Sequence, residues 1–86
     1  MSEQSPMNGI SSELTAVFRD VFEDDSLAIT RETSARDVTG WDSLMHVTLI
    51  LQVERRFGVR FSSSEVAMLR NAGELQDLIR ARAGAR

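Results

Sequence analysis

The 86-residue chain is predicted to be all-α: a small antiparallel bundle of three long helices and one short helix, with a long loop between helices 1 and 2. Two observations predict this class. Apolar residues recur every three or four positions in several segments, as they do in helices that bury one face. Each segment also follows a Ser, Asp or Asn, which are favoured helix N-caps. Residues 59–61 alternate as a strand does but have no partner strand, so we expect a linker with Phe61 buried.

Helix 1 is predicted from about Ser12 to Phe22, with Ser11 or Ser12 as its N-cap. Its predicted apolar stripe consists of Leu14, Val17, Phe18, Val21 and Phe22. The connection that follows, residues 23–41, is too long for a tight turn, so we expect it to be functional or anchored to the core. The predicted anchors are Leu27, Ile29 and Val38.

Helix 2 is predicted from Ser43 to Phe57, with Asp42 as its N-cap and Gly58 as its C-terminal stop. The residues predicted to face the core are Leu44, Val47, Ile50, Leu51, Val53 and Phe57.

Two capping-box patterns predict the remaining helices. Ser62 and Glu65 begin a short helix 3 that extends to Leu69, and Asn71 and Glu74 precede helix 4. The predicted inward stripe of helix 4 is Leu75, Leu78 and Ile79.

One domain, residues 10–82, is predicted between a flexible N-terminal tail of residues 1–9 and a frayed C-terminus of residues 83–86. The first residues have neither the basic start nor the apolar run of a signal peptide, and the longest apolar run, residues 49–51, is too short to span a bilayer. We therefore expect a cytoplasmic protein with no membrane partner. No apolar helix face is predicted to be left over, so we expect a monomer.

The composition excludes several classes of site. The chain has no cysteine, which excludes disulfides and thiolate metal sites, and its one histidine does not make a metal site by itself. The formal net charge of -3 argues against nucleic acid as a partner. The charge is uneven: residues 1–42 carry nine acidic residues and three arginines, and residues 43–86 carry four acidic residues and seven arginines. This asymmetry bears on partner surfaces rather than on the fold.

The segment that points to a function is residues 40–44, Gly-Trp-Asp-Ser-Leu, a turn that runs directly into helix 2. It sets Ser43 at a helix N-terminus, where unpaired N–H groups and a partial positive charge favour a phosphate-bearing group. From the residues alone, an Asp-Ser pair at this position is more often simply a helix cap.

The motif and its surroundings resemble the acyl and peptidyl carrier protein family. Beyond residues 40–44, Glu54 and Phe57 match the residues that close helix 2 in the family. The exit at residues 58–61, the third helix at residues 62–69 and the start of the fourth at residues 73–75 continue the register. The resemblance covers residues 10 to 80, nearly the whole predicted domain.

The resemblance implies a carrier without catalytic residues. A phosphopantetheinyl transferase would attach 4′-phosphopantetheine from coenzyme A to Ser43, and the thiol of that arm would hold acyl or aminoacyl groups as thioesters. The implied partners are this transferase, a loading enzyme, and condensing or other acyl-processing enzymes. Asp42 would cap helix 2 and help the transferase to position coenzyme A and Mg²⁺, and Leu44 would contact the transferase and other partners.

Three neighbouring residues are further candidates for partner recognition. Met45 is either a soft apolar contact for varied partners or an ordinary half-buried helix residue. Trp41 either plugs the long loop into the core or is an exposed partner contact. His46 lies one turn from Ser43 beside Asp42, but a hydrolase triad also needs a substrate pocket and an oxyanion hole, so we expect His46 to be a partner-facing surface residue.

The chain departs from the fatty-acid-synthase members of the family, which display acidic residues on helix 2. Met45 and Thr48 stand where that subgroup carries acids, Arg55 stands in the acidic stretch, and only Glu54 keeps the charge. This favours a specialised acyl carrier of a polyketide or specialised fatty acid pathway. Alternatives are an aminoacyl or peptidyl carrier and, from another class, a cofactor-free helical interaction module. A third is a small DNA-binding domain that uses Arg70, Arg80, Arg82 and Arg86.

Overall fold

The computed structural model describes residues 9–84, and within them the all-α prediction is confirmed. Four helices follow one another along the chain. They are α1 (Ser12–Phe22), α2 (Ser43–Phe57), α3 (Ser63–Met68) and α4 (Ala72–Gly84). Residues 59–61 form no strand and connect α2 to α3, as expected, but Val59 is the buried residue of this linker and Phe61 is only half-buried.

Only part of the predicted N-terminal tail and of the predicted frayed C-terminus lies within the described residues. The predicted tail, residues 1–9, lies outside the described residues except for Gly9. Helix α4 continues through Gly84, two residues beyond the predicted limit at residue 82, and residues 85–86 lie outside the described part. None of the helices in residues 9–84 has both the length and the apolar character needed to cross a membrane.

Side-chain N-caps begin α1 and α2 where the sequence predicts them. The Ser11 hydroxyl accepts a hydrogen bond from the Leu14 N–H at 3.1 Å, and the Asp42 carboxylate accepts one from the Met45 N–H at 2.9 Å. Helix α2 ends at Gly58, whose φ of 67° lies in the left-handed region that glycine adopts without strain. These local bonds set the bounds of α1 and α2.

The capping box before α3 is complete. The Ser62 hydroxyl accepts from the Glu65 N–H at 3.2 Å, and the Glu65 carboxylate accepts from the Ser62 N–H at 2.9 Å. The α4 cap is a variant: Asn71 accepts from the Glu74 N–H at 2.9 Å, but the Glu74 carboxylate reaches back to the Arg70 N–H, one residue earlier than in a capping box. Both predicted helix starts are therefore confirmed.

The core forms where α1 and α2 pack together and the long loop closes over them. Phe18 is fully buried, and the ring of Trp41 meets it edge-to-face with centroids 5.3 Å apart. Of the predicted loop anchors, Ile29 and Val38 are buried and Leu27 is half-buried against the core. The long loop is thus part of the packed structure.

Two backbone hydrogen bonds join the loop to the start of α4. The N–H of Ala72 donates to the Thr33 carbonyl at 2.8 Å, and the N–H of Gly73 donates to the Arg31 carbonyl at 2.9 Å. Arg31 also forms a bidentate ion pair with Asp77, with N–O distances of 3.0 and 2.7 Å. These contacts hold the loop over the bundle despite its length.

The predicted inward stripe of α2 is wrong at three positions. Leu44, Val47 and Leu51 are 75%, 53% and 52% exposed, whereas Leu49, which was not predicted to face inward, is fully buried. The buried residues of α2 are Leu49, Ile50 and Val53. The helix is therefore rotated relative to the prediction, because the apolar residues surround most of its circumference and packing against α1 selects one face. The expectation that no apolar helix face is left over is wrong as well.

Candidate functional site

Ser43 is the first residue of α2, and its side chain is exposed. Within residues 9–84, its hydroxyl has no hydrogen-bond partner, and neither do the backbone N–H groups of Ser43 and Leu44. The next two N–H groups are satisfied by Asp42, whose carboxylate accepts from Met45 and whose carbonyl accepts from His46 at 2.8 Å. A free hydroxyl thus lies beside two free N–H groups at the positive end of a 15-residue helix, an arrangement that suits a phosphate group.

Two other serines occupy the same position in their helices. Ser12 begins α1 and Ser63 begins α3; both are exposed, and within the described residues neither hydroxyl has a partner. What sets Ser43 apart is its position on a long helix at one end of an apolar groove. Ser63 also borders the groove, but its helix has only six residues. Ser12 and Ser63 therefore serve as internal controls for Ser43.

The groove is open, has a volume of about 780 Å³, and runs between α2 and α3. Its lining is mostly apolar and includes Val47, Ile50, Phe61, Val66 and Leu69. Polar side chains at its edge are those of Asp42, Ser43, His46, Glu54 and Ser63. A group attached to Ser43 would therefore lie beside an apolar surface rather than in open solvent alone.

Trp41 is placed in the core rather than on a partner surface. Its side chain is only 9% exposed, and it packs against Phe18 and, with centroids 6.0 Å apart, against Phe22. Of the two interpretations of this residue, the geometry matches the plug that anchors the loop.

His46 is not the surface residue that the sequence analysis expects, because both of its ring nitrogens are engaged and it is half-buried. The indole N–H of Trp41 donates to Nδ1 at 3.0 Å, and Nε2 lies 3.1 Å from the Val66 carbonyl oxygen. An indole N–H only donates, so Nδ1 must accept and the hydrogen must be on Nε2, which donates to Val66. No hydrogen bond joins His46 to Ser43, so the pair does not form a nucleophile and base.

The exposed face of α2 is apolar near Ser43. We call Leu44, Val47 and Leu51 the apolar strip: they follow each other at helical spacing and are all more than half exposed. Met45, another predicted partner contact on this helix, is half-buried, and Met68 on α3 is 74% exposed. All three residues were predicted to face the core, and only Leu44 was also predicted, from the family resemblance, to contact partners.

Acidic groups contribute little to this face. Glu54 is the only acidic residue of α2, and its carboxylate accepts the N–H of Phe61 at 2.9 Å, which ties α2 to the segment before α3. Arg55, one residue on, is exposed. In the part of the chain that the structure describes, no group of three or more His, Cys, Asp or Glu residues is arranged to hold a metal ion.

Comparison with known proteins identifies the family. The family described as "Phosphopantetheine attachment site" matches residues 12–79. Acyl carrier protein MbtL of Mycolicibacterium paratuberculosis is 31% identical over 81 residues, which cover 94% of this chain and 91% of the relative. A solution NMR structure of a holo acyl carrier protein from Geobacter metallireducens superimposes with a TM-score of 0.78 at 45% sequence identity, covering 83% of this chain and 82% of that one.

These matches cover most of the chain, and they agree with the four-helix architecture described above. The chain belongs to the acyl carrier protein family, the non-catalytic carriers that bear a covalently bound phosphopantetheine group.

Proposed function

We propose that this protein holds acyl intermediates as thioesters on a 4′-phosphopantetheine arm attached to Ser43 and carries them between biosynthetic enzymes. The observation that carries the proposal is the Ser43 hydroxyl: exposed and unpaired within residues 9–84, it stands at the start of the longest helix and at one end of the apolar groove.

The residues present fit this group. The Ser43 hydroxyl would supply the oxygen of a phosphodiester, and the free N–H groups of Ser43 and Leu44 at the same helix end are available to its phosphate oxygens. Asp42 leaves these N–H groups free because its carboxylate is bonded to Met45. The arm supplies a terminal thiol, which binds acyl groups as thioesters. The protein's own contribution is to present the hydroxyl, favour the negative charge beside it and keep the rest of the helix start capped.

The apolar strip is proposed as the surface that meets partner enzymes. These partners are a phosphopantetheinyl transferase, an acyl-loading enzyme, and condensing or other acyl-processing enzymes. Since the one carboxylate of α2 is bonded to Phe61, docking at this face would depend on apolar contact more than on charge pairs. This favours a carrier of a polyketide or specialised fatty acid pathway over one that docks through an acidic helix.

Two other interpretations compete with this one. An aminoacyl or peptidyl carrier would use the same Ser43 chemistry and differ only in its cargo. A cofactor-free interaction module would use the exposed apolar strip while Ser43 remained unmodified. The DNA-binding alternative loses one residue of its arginine cluster, because Arg82 forms an ion pair with Glu65.

The test is to incubate the purified protein with coenzyme A, Mg²⁺ and a promiscuous phosphopantetheinyl transferase and to measure its intact mass. We expect the wild type to gain the mass of one phosphopantetheine group. Ser43→Ala should gain none, whereas Ser12→Ala and Ser63→Ala, which remove exposed serines from equivalent helix positions, should load like the wild type. If the wild type gains no mass while a known carrier loads in parallel, the cofactor-free module is favoured.

A further inference from the structure

The imidazole of His46 connects three parts of the molecule. It accepts from the indole of Trp41 in the loop that leads into Ser43, it belongs to α2, and it donates to the Val66 carbonyl of α3. We call this chain of two hydrogen bonds the clasp. Trp41 and His46 are the only tryptophan and the only histidine in the protein. The NMR signals of the indole and of the imidazole can therefore be assigned without overlap from other residues of the same type.

Helix α3 is the element that depends most on such a bond. It has six residues, none of them buried, and only the half-buried Val66 and the following Leu69 pack against the core. Its other polar contact with a helix is the ion pair between Glu65 and Arg82 of α4. An element with so little buried surface opens at low cost, so each polar contact contributes a large share of its attachment.

We propose that His46 is a positioning residue: only its neutral form, protonated on Nε2, makes both bonds of the clasp, so that protonation opens the clasp and frees α3 to move relative to the start of α2. A proton on Nδ1 would point at the Trp41 N–H, and two donors form no hydrogen bond. The imidazole and the indole must then turn away from each other. The Nε2–H can still donate, but without the Trp41 bond the imidazole ring is no longer held in the orientation that directs this N–H at the Val66 carbonyl.

The clasp would affect the surroundings of the phosphopantetheine arm, an inference that rests on the function proposed above. Helix α3 forms one wall of the groove that begins at Ser43, so the clasp sets how far the groove opens beside the attachment point.

Charged groups on the elements that carry or adjoin the clasp are already engaged. They are Asp37 on the loop, Asp42 and Glu54 at the two ends of α2, Glu65 on α3 and Arg82 on α4. Each carboxylate among them accepts a backbone N–H, and none accepts from the imidazole. The Ser62 N–H and, next, the Arg82 guanidinium lower the pKa of Glu65, so its ion pair persists when the pH is lowered through the range in which a histidine titrates. The pH response of the clasp is therefore assigned to His46.

The first test uses the wild-type protein alone. Nitrogen chemical shifts of the single imidazole, recorded at about pH 8, report its protonation state and its tautomer directly. We expect protonated Nε2 and unprotonated Nδ1. The opposite tautomer would be incompatible with the clasp and would overturn the proposal.

The second test follows hydrogen exchange of the Trp41 indole N–H and of the α3 amides between about pH 8 and pH 5, corrected for intrinsic rates. Loss of one hydrogen bond should accelerate indole exchange by about three- to tenfold on acidification. His46→Gln, which has no titratable group, should show no such step. An equal step in His46→Gln, or none in the wild type, refutes the pH switch.

The third test separates positioning from the pH response. His46→Phe keeps a ring of similar shape but makes neither bond, so at about pH 8 the α3 amides should exchange about three- to tenfold faster while the α1 amides stay unchanged. Unchanged α3 exchange in this variant would show that His46 does not hold α3. A variant that loses α1 protection has unfolded, and the wild-type pH step then decides the question.

Intact masses of the same wild-type samples, measured before and after arm loading, distinguish this inference from the proposed function. A protein that shows the pH step but does not load supports the clasp and counts against the carrier assignment. A protein that loads on Ser43 without the pH step does the reverse.

Discussion

Asp42 and Ser43 are adjacent in sequence but have different roles at the start of α2. The Asp42 carboxylate bonds to the Met45 N–H and begins the helix, and the Ser43 hydroxyl bonds to nothing within residues 9–84. This division predicts that mutations at the two positions change stability by different amounts. Asp42→Ala should destabilise the protein by about 1 kcal/mol, the usual cost of losing an N-cap. Ser43→Ala should change stability by less than about 0.5 kcal/mol, as exposed substitutions away from special features do.

Urea unfolding monitored by circular dichroism measures both values. Asp42→Asn provides the matched control, because the amide oxygen still accepts the Met45 N–H and should retain most of the stability. Equal stability of Asp42→Ala and the wild type would contradict the capping role assigned to Asp42.

Contacts between residues close in sequence were predictable, whereas contacts between distant residues were not. The caps at Asp42 and Ser62 were predictable because each bond spans three residues and depends on local geometry alone. The role of His46 was not, because the Val66 carbonyl lies 20 positions further along the chain and only the folded structure brings the two together. The sequence showed that Ser43 begins a helix, but not that its hydroxyl and neighbouring N–H groups are left free.

At the scale of elements, the long loop and α4 meet at Gly73 with no room for a side chain. A Cβ built on Gly73 would lie 2.8 Å from Cβ and 2.9 Å from the carbonyl oxygen of Arg31. Gly73→Ala should therefore destabilise the protein by about 1–3 kcal/mol, the usual cost of overpacking, although alanine is the better helix former. Thermal or urea unfolding measures this change.

A matched double variant locates the cause. Arg31→Ala truncates the side chain but leaves both the Cβ and the carbonyl oxygen that Gly73→Ala would meet, so the double variant should remain less stable than Arg31→Ala alone. A stabilising Gly73→Ala substitution would show that the loop does not pack against α4 in this way.

The ion pair between Arg31 and Asp77 joins the same two elements. The hydrogen bonds that the Arg31 guanidinium donates to Asp77 lower the pKa of the Asp77 carboxyl below its usual range. A lowered folded-state pKa contributes stability above the unfolded-state pKa of about 3.9, and this contribution disappears as the pH falls through the folded-state value. Asp77→Asn should therefore lower the melting temperature slightly at neutral pH, since the pair is largely exposed, and the difference should vanish in acid. A difference that persists or grows in acid would contradict this prediction.

The orientation of α2 marks the limit of prediction at this scale. Its bounds followed from local signals, but apolar residues lie on more than one of its faces, so periodicity alone did not select the buried face. Packing against α1 buries Leu49 and leaves the apolar strip exposed.

In the whole molecule, the proposed partner surface, which consists of the apolar strip and the adjoining groove, lies next to Ser43. Leu51→Glu should lower kcat/KM for loading by a phosphopantetheinyl transferase by about tenfold or more if Leu51 is a central contact. Its effect on folding should be small, since Leu51 is 52% exposed. Arg80→Glu, an exposed change on α4, should load normally. Equal loading by both variants would count against the strip as the docking surface.

Salt dependence tests the character of the same surface. With its one carboxylate bonded to Phe61, α2 offers few charge pairs to be screened. Transferase KM and partner affinity should therefore change by less than about threefold between low and physiological ionic strength. A steep loss over this range would instead indicate docking through charges.

Peptide mapping of the loaded wild-type protein tests whether the arm is attached to Ser43. Complete tryptic cleavage after arginine places the candidate serines in different peptides: Ser43 in residues 37–55, Ser63 in residues 61–70 and Ser12 in residues 1–19. We expect the phosphopantetheine mass on residues 37–55, with fragment ions that assign it to Ser43, the only serine in that peptide. Modification on another peptide, or none under conditions that load a control carrier, would contradict it.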